Sequence, residues 1–529
     1  SSAWYGCCER RIPQQYGEKK SHQSIPNTVI ACSPTVSAML ARRVVVLIYG
    51  RAIAFGLSLA IPIALTRLLL KEEYGTYQQL VLVYVSIQAL LLLGTPQSLQ
   101  YFFPRMETAE RPQLIRQTWG LLGLASLFII LIFWAAQGIL EVWQPYHPLK
   151  QYLLLLGVYT GLMILAAPFQ NLLVLEDRTV AAMWITIGFS LLDLVVLPLA
   201  AWLNPSAMGM VHGILVAATI KALIVLIYIF LRYLRHGVSG EAFMRKQLAY
   251  GIPVGLTALV YVINFNIDKY LVSLFFSTSI FAVYYIGSLW APVFGWITFS
   301  ASQVVTPRMS AAHKEGRLSE MERLYGESVR NLALVFLPFT VVLAVIAQPL
   351  IISLFTADYA AAVPVFMIYL LLLPSRPFSL GWVLMASGQT RFLFKLAVLM
   401  AITNAFLSYT LLVTLEGDMR LLGIPIATVT VTWLSTIFVT RQTAWTLKIP
   451  FARLCPWRAI GTTTLVSLLA GAPAASLWVL DDYYDIGLKN EMLLGSCLVV
   501  YSLVFLWLAS RLGVLNIRNR KFLQILWPF

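Results

Sequence analysis

Six ionisable side chains lie inside stretches otherwise apolar enough to cross a bilayer: Arg51, Lys221, Lys269 and Arg376, with Asp193 and Asp268. A cation at the bilayer centre costs about 3 kcal/mol on the insertion scale, so four facing lipid would cost roughly 12 kcal/mol. They are therefore expected to face a wet cavity, and their excess over the two carboxylates suits an anionic ligand. Arg51 sits about two turns into the first span, within Gly50-Arg51-Ala52-Ile53-Ala54-Phe55-Gly56. Its planar fork of donors matches phosphate oxygens, and the flanking glycines would admit a close neighbouring helix. Arg376 lies in Pro374-Ser375-Arg376-Pro377, where two prolines remove backbone donors and should break the span. Arg376 would then either bind ligand or satisfy the freed carbonyls. Lys221 and Asp193 are central in their spans, which fits an ion pair across neighbouring helices or direct ligand contact. Asn264 and Asp268 share a helix face, while Lys269 points about 100° away.

The rest of the chemistry is defined by exclusion. No Gly-rich phosphate loop, zinc-ligand cluster or Ser/His/Asp arrangement is visible, so ATP hydrolysis and intramembrane proteolysis are unsupported. The five cysteines have no metal-site spacing: Cys7-Cys8 and Cys32 lie near the start, and Cys455 and Cys497 stand alone. No metal or organic cofactor is expected.

The elements that must carry these residues are those of a polytopic membrane protein. Of 529 residues, 59% are hydrophobic and 12% charged, with mean hydropathy +0.78, too apolar for a water-facing surface. A span takes about 20 apolar residues as helix. Fourteen such runs fall near 44–66, 79–99, 117–139, 153–174, 181–203, 209–231, 252–276, 281–305, 331–355, 362–384, 392–414, 421–440, 459–480 and 491–510. The leading segment, the loops after even-numbered spans and the trailing segment hold 29 of the 38 Lys and Arg, and the opposite loops hold 5. That bias predicts an inner-membrane protein with both termini cytoplasmic. The net charge of +15 then reads as orientation and contact with anionic lipid, not nucleic-acid binding. Residues 1–38 carry no apolar signal region and are expected to be a non-native extension ahead of Met39.

A repeat of about 205 residues divides the chain. Lys71-Glu72-Glu73-Tyr74-Gly75-Thr76-Tyr77 precedes a span ending in Pro104-Arg105-Met106; Ser277-Thr278-Ser279-Ile280-Phe281-Ala282-Val283-Tyr284 precedes one ending in Pro307-Arg308-Met309. Pro168-Phe169 before Glu176-Asp177-Arg178-Thr179 mirrors Pro377-Phe378 before Ser387-Gly388-Gln389-Thr390. Each repeat has six spans, so the halves share one orientation. The predicted fold is all-α, with fourteen transmembrane helices in two pseudo-symmetric six-helix lobes plus two C-terminal helices. The expected division is 1–41 as a disordered or non-native tail, 42–240 as the first lobe, 241–441 as the second, and 442–529 as the last two spans and a cytoplasmic tail. Those last two spans fall outside the repeat and would pack on the second lobe.

Arg67-Leu68-Leu69-Leu70-Lys71-Glu72-Glu73-Tyr74-Gly75, followed by Gly94-Thr95-Pro96-Gln97-Ser98-Leu99-Gln100-Tyr101-Phe102, resembles the first hairpin of polysaccharide (O-antigen-type) flippases. These belong to the multidrug/oligosaccharidyl-lipid/polysaccharide exporter superfamily. Ile267-Asp268-Lys269-Tyr270, Tyr284-Tyr285 and Ala386-Ser387-Gly388-Gln389 extend the resemblance over roughly residues 42–440. It implies transfer of a polyprenyl-diphosphate-linked oligosaccharide from the cytoplasmic to the outer leaflet by two lobes alternating about a central cavity. Fourteen spans instead resemble the peptidoglycan-precursor (lipid II) branch, which is the alternative substrate. On this reading Arg51, Lys269, Arg376, Lys221 and Asn264 bind substrate. Asp193 and Asp268 are ion pairs or H⁺ or Na⁺ coupling groups, and Arg67, Arg105 and Arg308 are secondary gate residues. Membrane lipids and other polysaccharide-assembly proteins would be partners of a monomeric transporter.

The basic amphipathic stretches 232–246 and 310–330 could lie on the inner leaflet, and Trp143, Tyr146, Tyr483 and Tyr484 suit an aromatic belt. Two rivals remain. A membrane glycosyltransferase or polymerase should carry catalytic carboxylates on a sizeable outer loop, whereas the outer loops are short. A multidrug antiporter should have an anionic or aromatic cavity, against the positive sign of the intramembrane charges.

Overall fold

The computed structural model of the protein describes residues 34–143, 150–234, 243–289, 295–484 and 489–514. The chain divides into two units, 1–45 and 46–529, and the second carries every site discussed below. All regular structure among the described residues is helical. The first half contains α1 (Pro34–Leu68), α2 (Lys71–Leu91), α3 (Thr95–Phe102), α4 (Arg111–Trp143), α5 (Lys150–Ala166), α6 (Phe169–Leu175), α7 (Thr179–Leu203) and α8 (Ala207–Ile229). The second contains α9 (Met244–Phe275), α10 (Thr278–Ser288), α11 (Gly295–Lys314), α12 (Leu318–Val345), α13 (Ala347–Phe355), α14 (Ala362–Leu370), α15 (Trp382–Ala386), α16 (Thr390–Thr414) and α17 (Asp418–Leu447). After a single turn, α18 (Phe451–Leu454), come α19 (Trp457–Tyr484) and α20 (Asn490–Arg511).

Twelve of the fourteen expected spans are continuous enough to cross a membrane among the described residues. Expected span 281–305 is divided between α10 and α11, with 290–294 outside the described residues. Expected span 362–384 is broken: α14 stops at Leu370, turns occupy 371–381, and only α15 follows. Pro374 and Pro377 cause this break by withholding two backbone donors. The carbonyls it frees are taken by other helices: Trp433 donates to Leu371 (3.0 Å), and Tyr325 and Thr440 donate to Phe378 (3.2 and 3.3 Å). The stretch 310–330 is not a separate surface helix, since α11 runs to Lys314 and α12 starts at Leu318 after a tight turn. In the stretch 232–246, residues 235–242 lie outside the described ones, as do Tyr146 and the side chains of Trp143, Tyr483 and Tyr484. Residues 1–33 are likewise outside, while 34–41, expected as tail, form the first turns of α1.

The repeat is visible in the backbone. α2 and α10 start 207 residues apart, as do α4 and α12; α7 and α16 start 211 apart, as do α8 and α17. The four extra residues fall around the second half's broken span. At the turns before α7 and α16 the same motif recurs, with Asp177 (φ 62°) and Gly388 (φ 74°) in the left-handed region. Arg178 N donates to Leu173 O and Gln389 N to Leu384 O, each at 2.8 Å, a Schellman-type helix end. α19 packs on α12 and α20 on α13, with Tyr501 donating to Pro338 O at 2.9 Å, so the last two spans attach to the second half.

The halves touch at both ends of the bundle. At the end away from the basic loops, α2 meets α10 so closely that a Cβ on Gly75 would lie 1.9 Å from Thr278 O. There Arg67 donates to Ser353 O (2.6 Å), Lys71 to Asp358 O (3.2 Å), and Tyr74 packs edge-on against Tyr285 and Tyr359. At the basic end Gly94 (φ 65°) abuts Gly251 and Gly255 of α9, with no space for a Cβ on any of the three. Gln247 of α9 donates there to Ser98 (3.1 Å) and Thr118 (2.7 Å), and Tyr250 stacks on Tyr101 at 4.4 Å.

Candidate functional site: a charged cavity between the halves

Between those closures lie two adjoining hollows that share Val81, Tyr285 and Leu289 as a common wall. The larger, about 230 Å³, is lined by Ser58 of α1, Tyr77 and Gln78 of α2, Tyr159 of α5, Asp193 of α7, Lys221 of α8 and Tyr285 of α10. The smaller, about 130 Å³, is bounded by α2, by Phe265, Asn266 and Lys269 of α9, and by Ser288 of α10. Both halves therefore contribute walls to hollows large enough for several waters inside a helical membrane protein. Such a space is where intramembrane charge is tolerated.

Asp193 and Lys221 form an ion pair, with Lys221 Nζ 2.6 Å from each carboxylate oxygen. α7 and α8 run side by side and place both residues near mid-span, so the two charges desolvate together and face the hollow. The expected pair is present, and it lines the cavity as well.

Lys269 reaches the smaller hollow. Its neighbour Asp268 is buried in the second half, where Oδ2 accepts from Tyr284 (3.2 Å) and Tyr369. The two phenol oxygens are hydrogen-bonded to each other at 2.7 Å, and Lys269 Nζ is 3.9 Å from Asp268 Oδ1, which accepts no hydrogen bond. The two side chains thus look to different neighbours, as their 100° separation requires, while the long lysine stem keeps an electrostatic contact. Asn264 lines neither hollow, and Asn266 lines the smaller one instead. Two residues along a helix is about 200°, which turns the one away as it turns the other in.

Arg51 is half-buried on α1, one heptad from Ser58 and so on nearly the same face, about 10 Å from it along the axis toward the basic end. Of its flanking glycines only Gly50 admits a close helix, with Met183 of α7 against it; Gly56 faces open space. Arg376 lies in the broken span, outside both hollows, and its buried Nε has no partner. The freed carbonyls of Leu371 and Phe378 are held by Trp433, Tyr325 and Thr440.

The three secondary gate residues separate. Arg67 ties α1 to the second half through Ser353 O, a role beyond neutralising its own helix end. Arg105 folds over Tyr101 at 3.8 Å and donates to Tyr101 O (2.5 Å), backing the Tyr101–Tyr250 stack. Arg308 is exposed on α11, and among the described residues no hydrogen bond or ion pair joins it to either closure. Sequence reading passed over Tyr77, Gln78, Tyr159 and Tyr285, and over the Asp268 partners Tyr284 and Tyr369. Uncharged polar and aromatic residues in an apolar span carry no signal separating a cavity wall from packing. Tyr74 and Tyr77 in the first hairpin, and Tyr284 and Tyr285 at its repeat, were the available hint.

Among solved structures, one titled lipid II flippase MurJ in an inward closed conformation shares the fold with a TM-score of 0.69. It is 15% identical, and the match covers 88% of this chain and 98% of that one. An inward-facing multidrug resistance MATE family transporter of the MOP superfamily gives 0.60 at 14% identity, over 74% and 95% of the two chains. An outward-facing one gives 0.54 at 14%, over 77% and 95%. No curated protein sequence matches the chain. The family model for lipid II flippase MurJ, by contrast, matches residues 54–494, running through both repeats and into α20. With that match spanning most of its 529 residues, the chain belongs to the MurJ lipid II flippase family.

Proposed function

We propose that this protein carries lipid II, a polyprenyl-diphosphate-linked saccharide, from the cytoplasmic to the outer leaflet of the inner membrane by alternating access. The family match over 54–494 supports this reading above all, and it favours the lipid II alternative over the polysaccharide repeat unit. Membership of a flippase family makes the protein a transporter and not an enzyme. The lipid tail stays in the bilayer while the diphosphate passes between the halves, met by Lys269 and Lys221 in the hollow and by Arg51 and Arg376 flanking it. The hollows are too small for a whole headgroup, so the closures at the two ends must part in turn. An H⁺ or Na⁺ gradient would act through Asp193 or through Asp268, whose buried Oδ1 accepts no hydrogen bond and has Lys269 Nζ at 3.9 Å. Both termini face the cytoplasm.

Purified protein in liposomes, supplied with lipid II, a polyprenyl-diphosphate oligosaccharide or a cationic dye, tests this under imposed H⁺ and Na⁺ gradients. Leaflet transfer of lipid II is expected. Transfer of the oligosaccharide alone would restore the polysaccharide reading, and cleavage or extension of the glycan would end the transporter reading.

A further inference from the structure

The Asp193–Lys221 pair is arranged to be exchanged. Lys221 is 8% exposed and Asp193 29%, and both carboxylate oxygens rest on the one ammonium. Among the described residues neither side chain has another hydrogen-bond partner; Lys221 has only the Phe189 ring at 5.8 Å besides. On one side the wall is apolar, Ile61, Pro62, Leu197, Ile214 and Ala218, and the donors on the other, Ser58, Tyr77, Gln78, Tyr159 and Tyr285, make no hydrogen bond to Asp193, so Lys221 is what balances the carboxylate. Every other group facing Asp193 from the packed helices is neutral near pH 7: Tyr77 and Tyr84 of α2, Tyr159 of α5, Ser58 of α1 and Tyr285 of α10.

We propose that the anionic diphosphate takes Lys221 from Asp193, and that Asp193, left without a counter-charge, takes up a proton from water. Anion binding and protonation are thereby linked at one pair. Lys221 stays an ammonium throughout. Its contacts move from carboxylate to phosphate oxygens, the carboxylate becomes a carboxylic acid, and departure of the anion reverses both changes. This rests on the cavity being the diphosphate route.

Farnesyl diphosphate, a soluble prenyl diphosphate, is the probe. Titration calorimetry of the full chain in detergent, in buffers of differing ionisation enthalpy, counts protons taken up on binding. The wild type is expected to take up about one proton per probe near pH 7. Asp193→Asn should take up none and bind about tenfold tighter, because Lys221 is released from its competitor. Lys221→Gln should bind weakly with no uptake, whereas Lys221→Arg should retain uptake. The double variant Asp193→Asn/Lys221→Gln, a neutral near-isosteric pair, guards against misfolding and should bind weakly without uptake. Undiminished uptake in Asp193→Asn, or binding to the wild type without uptake, would overturn the proposal. No binding to the wild type at all would overturn the cavity reading beneath it.

Discussion

Lys269 is the cation that second-half helices bring into the hollow, and its nearest acid is 3.9 Å away and already engaged by two phenols. An ammonium so weakly neutralised is available to a phosphate. Lys269→Ala is therefore expected to lower leaflet transfer at least about tenfold, the loss of one charge-assisted contact of roughly 1.5–3 kcal/mol. Arg51→Ala and Arg376→Ala should do likewise, and Arg51→Lys should restore only part, since an ammonium lacks the planar fork. Initial transfer rates in liposomes at matched protein levels check all four. Far from the site, burial pushes the Cys455 thiol up to about 12. A raised thiol pKa means little thiolate below it, so Cys455 should resist maleimide at pH 7 in folded protein and react on denaturation, as mass spectrometry would show. The charged members of the site were legible in the sequence because Asp, Lys and Arg stand out among Leu and Val. Gln78, Tyr159 and Asn266 were not, because their role depends on which way a helix face turns, and neighbouring helices decide that.

Breaks and close approaches decide what the helices can do. Pro374 and Pro377 announced the interruption of one span, and the structure adds the partners that make it tolerable, Trp433, Tyr325 and Thr440. Those partners come from α12 and α17, more than fifty residues away in sequence, where no local pattern points to them. The α2–α10 contact is similar: Gly75 looks like any glycine until Thr278 O is found against it. Gly75→Ala inserts a methyl where there is none to spare, and it is expected to part α2 from α10. Labelling of Gln78→Cys by an impermeant thiol reagent added from outside should then rise severalfold over the Gly75 background. Unchanged labelling would mean that this contact does not close the cavity.

At the scale of the molecule, the repeat could be read from two short motifs, and the backbone bears it out in helix starts 207 and 211 residues apart and in the paired turns at Asp177 and Gly388. The closures could not be read, since they join residues as distant as Arg67 and Ser353 or Ser98 and Gln247. The family branch has a related cause: the short hairpin motifs favour polysaccharide carriers, with the lipid II branch as the alternative, while the match over residues 54–494 falls on the MurJ family. What unites the scales is a cavity that must open at one end and then the other. The most direct test is to lock one end, by joining Lys71→Cys on α2 to Asp358→Cys before α14 with a short bismaleimide in an otherwise cysteine-free protein. The wild-type contact there is 3.2 Å. Leaflet transfer of lipid II by the cross-linked protein is expected to fall to the protein-free rate, while each single-cysteine protein treated alike keeps its activity. Full transfer with the end locked would contradict passage between the halves.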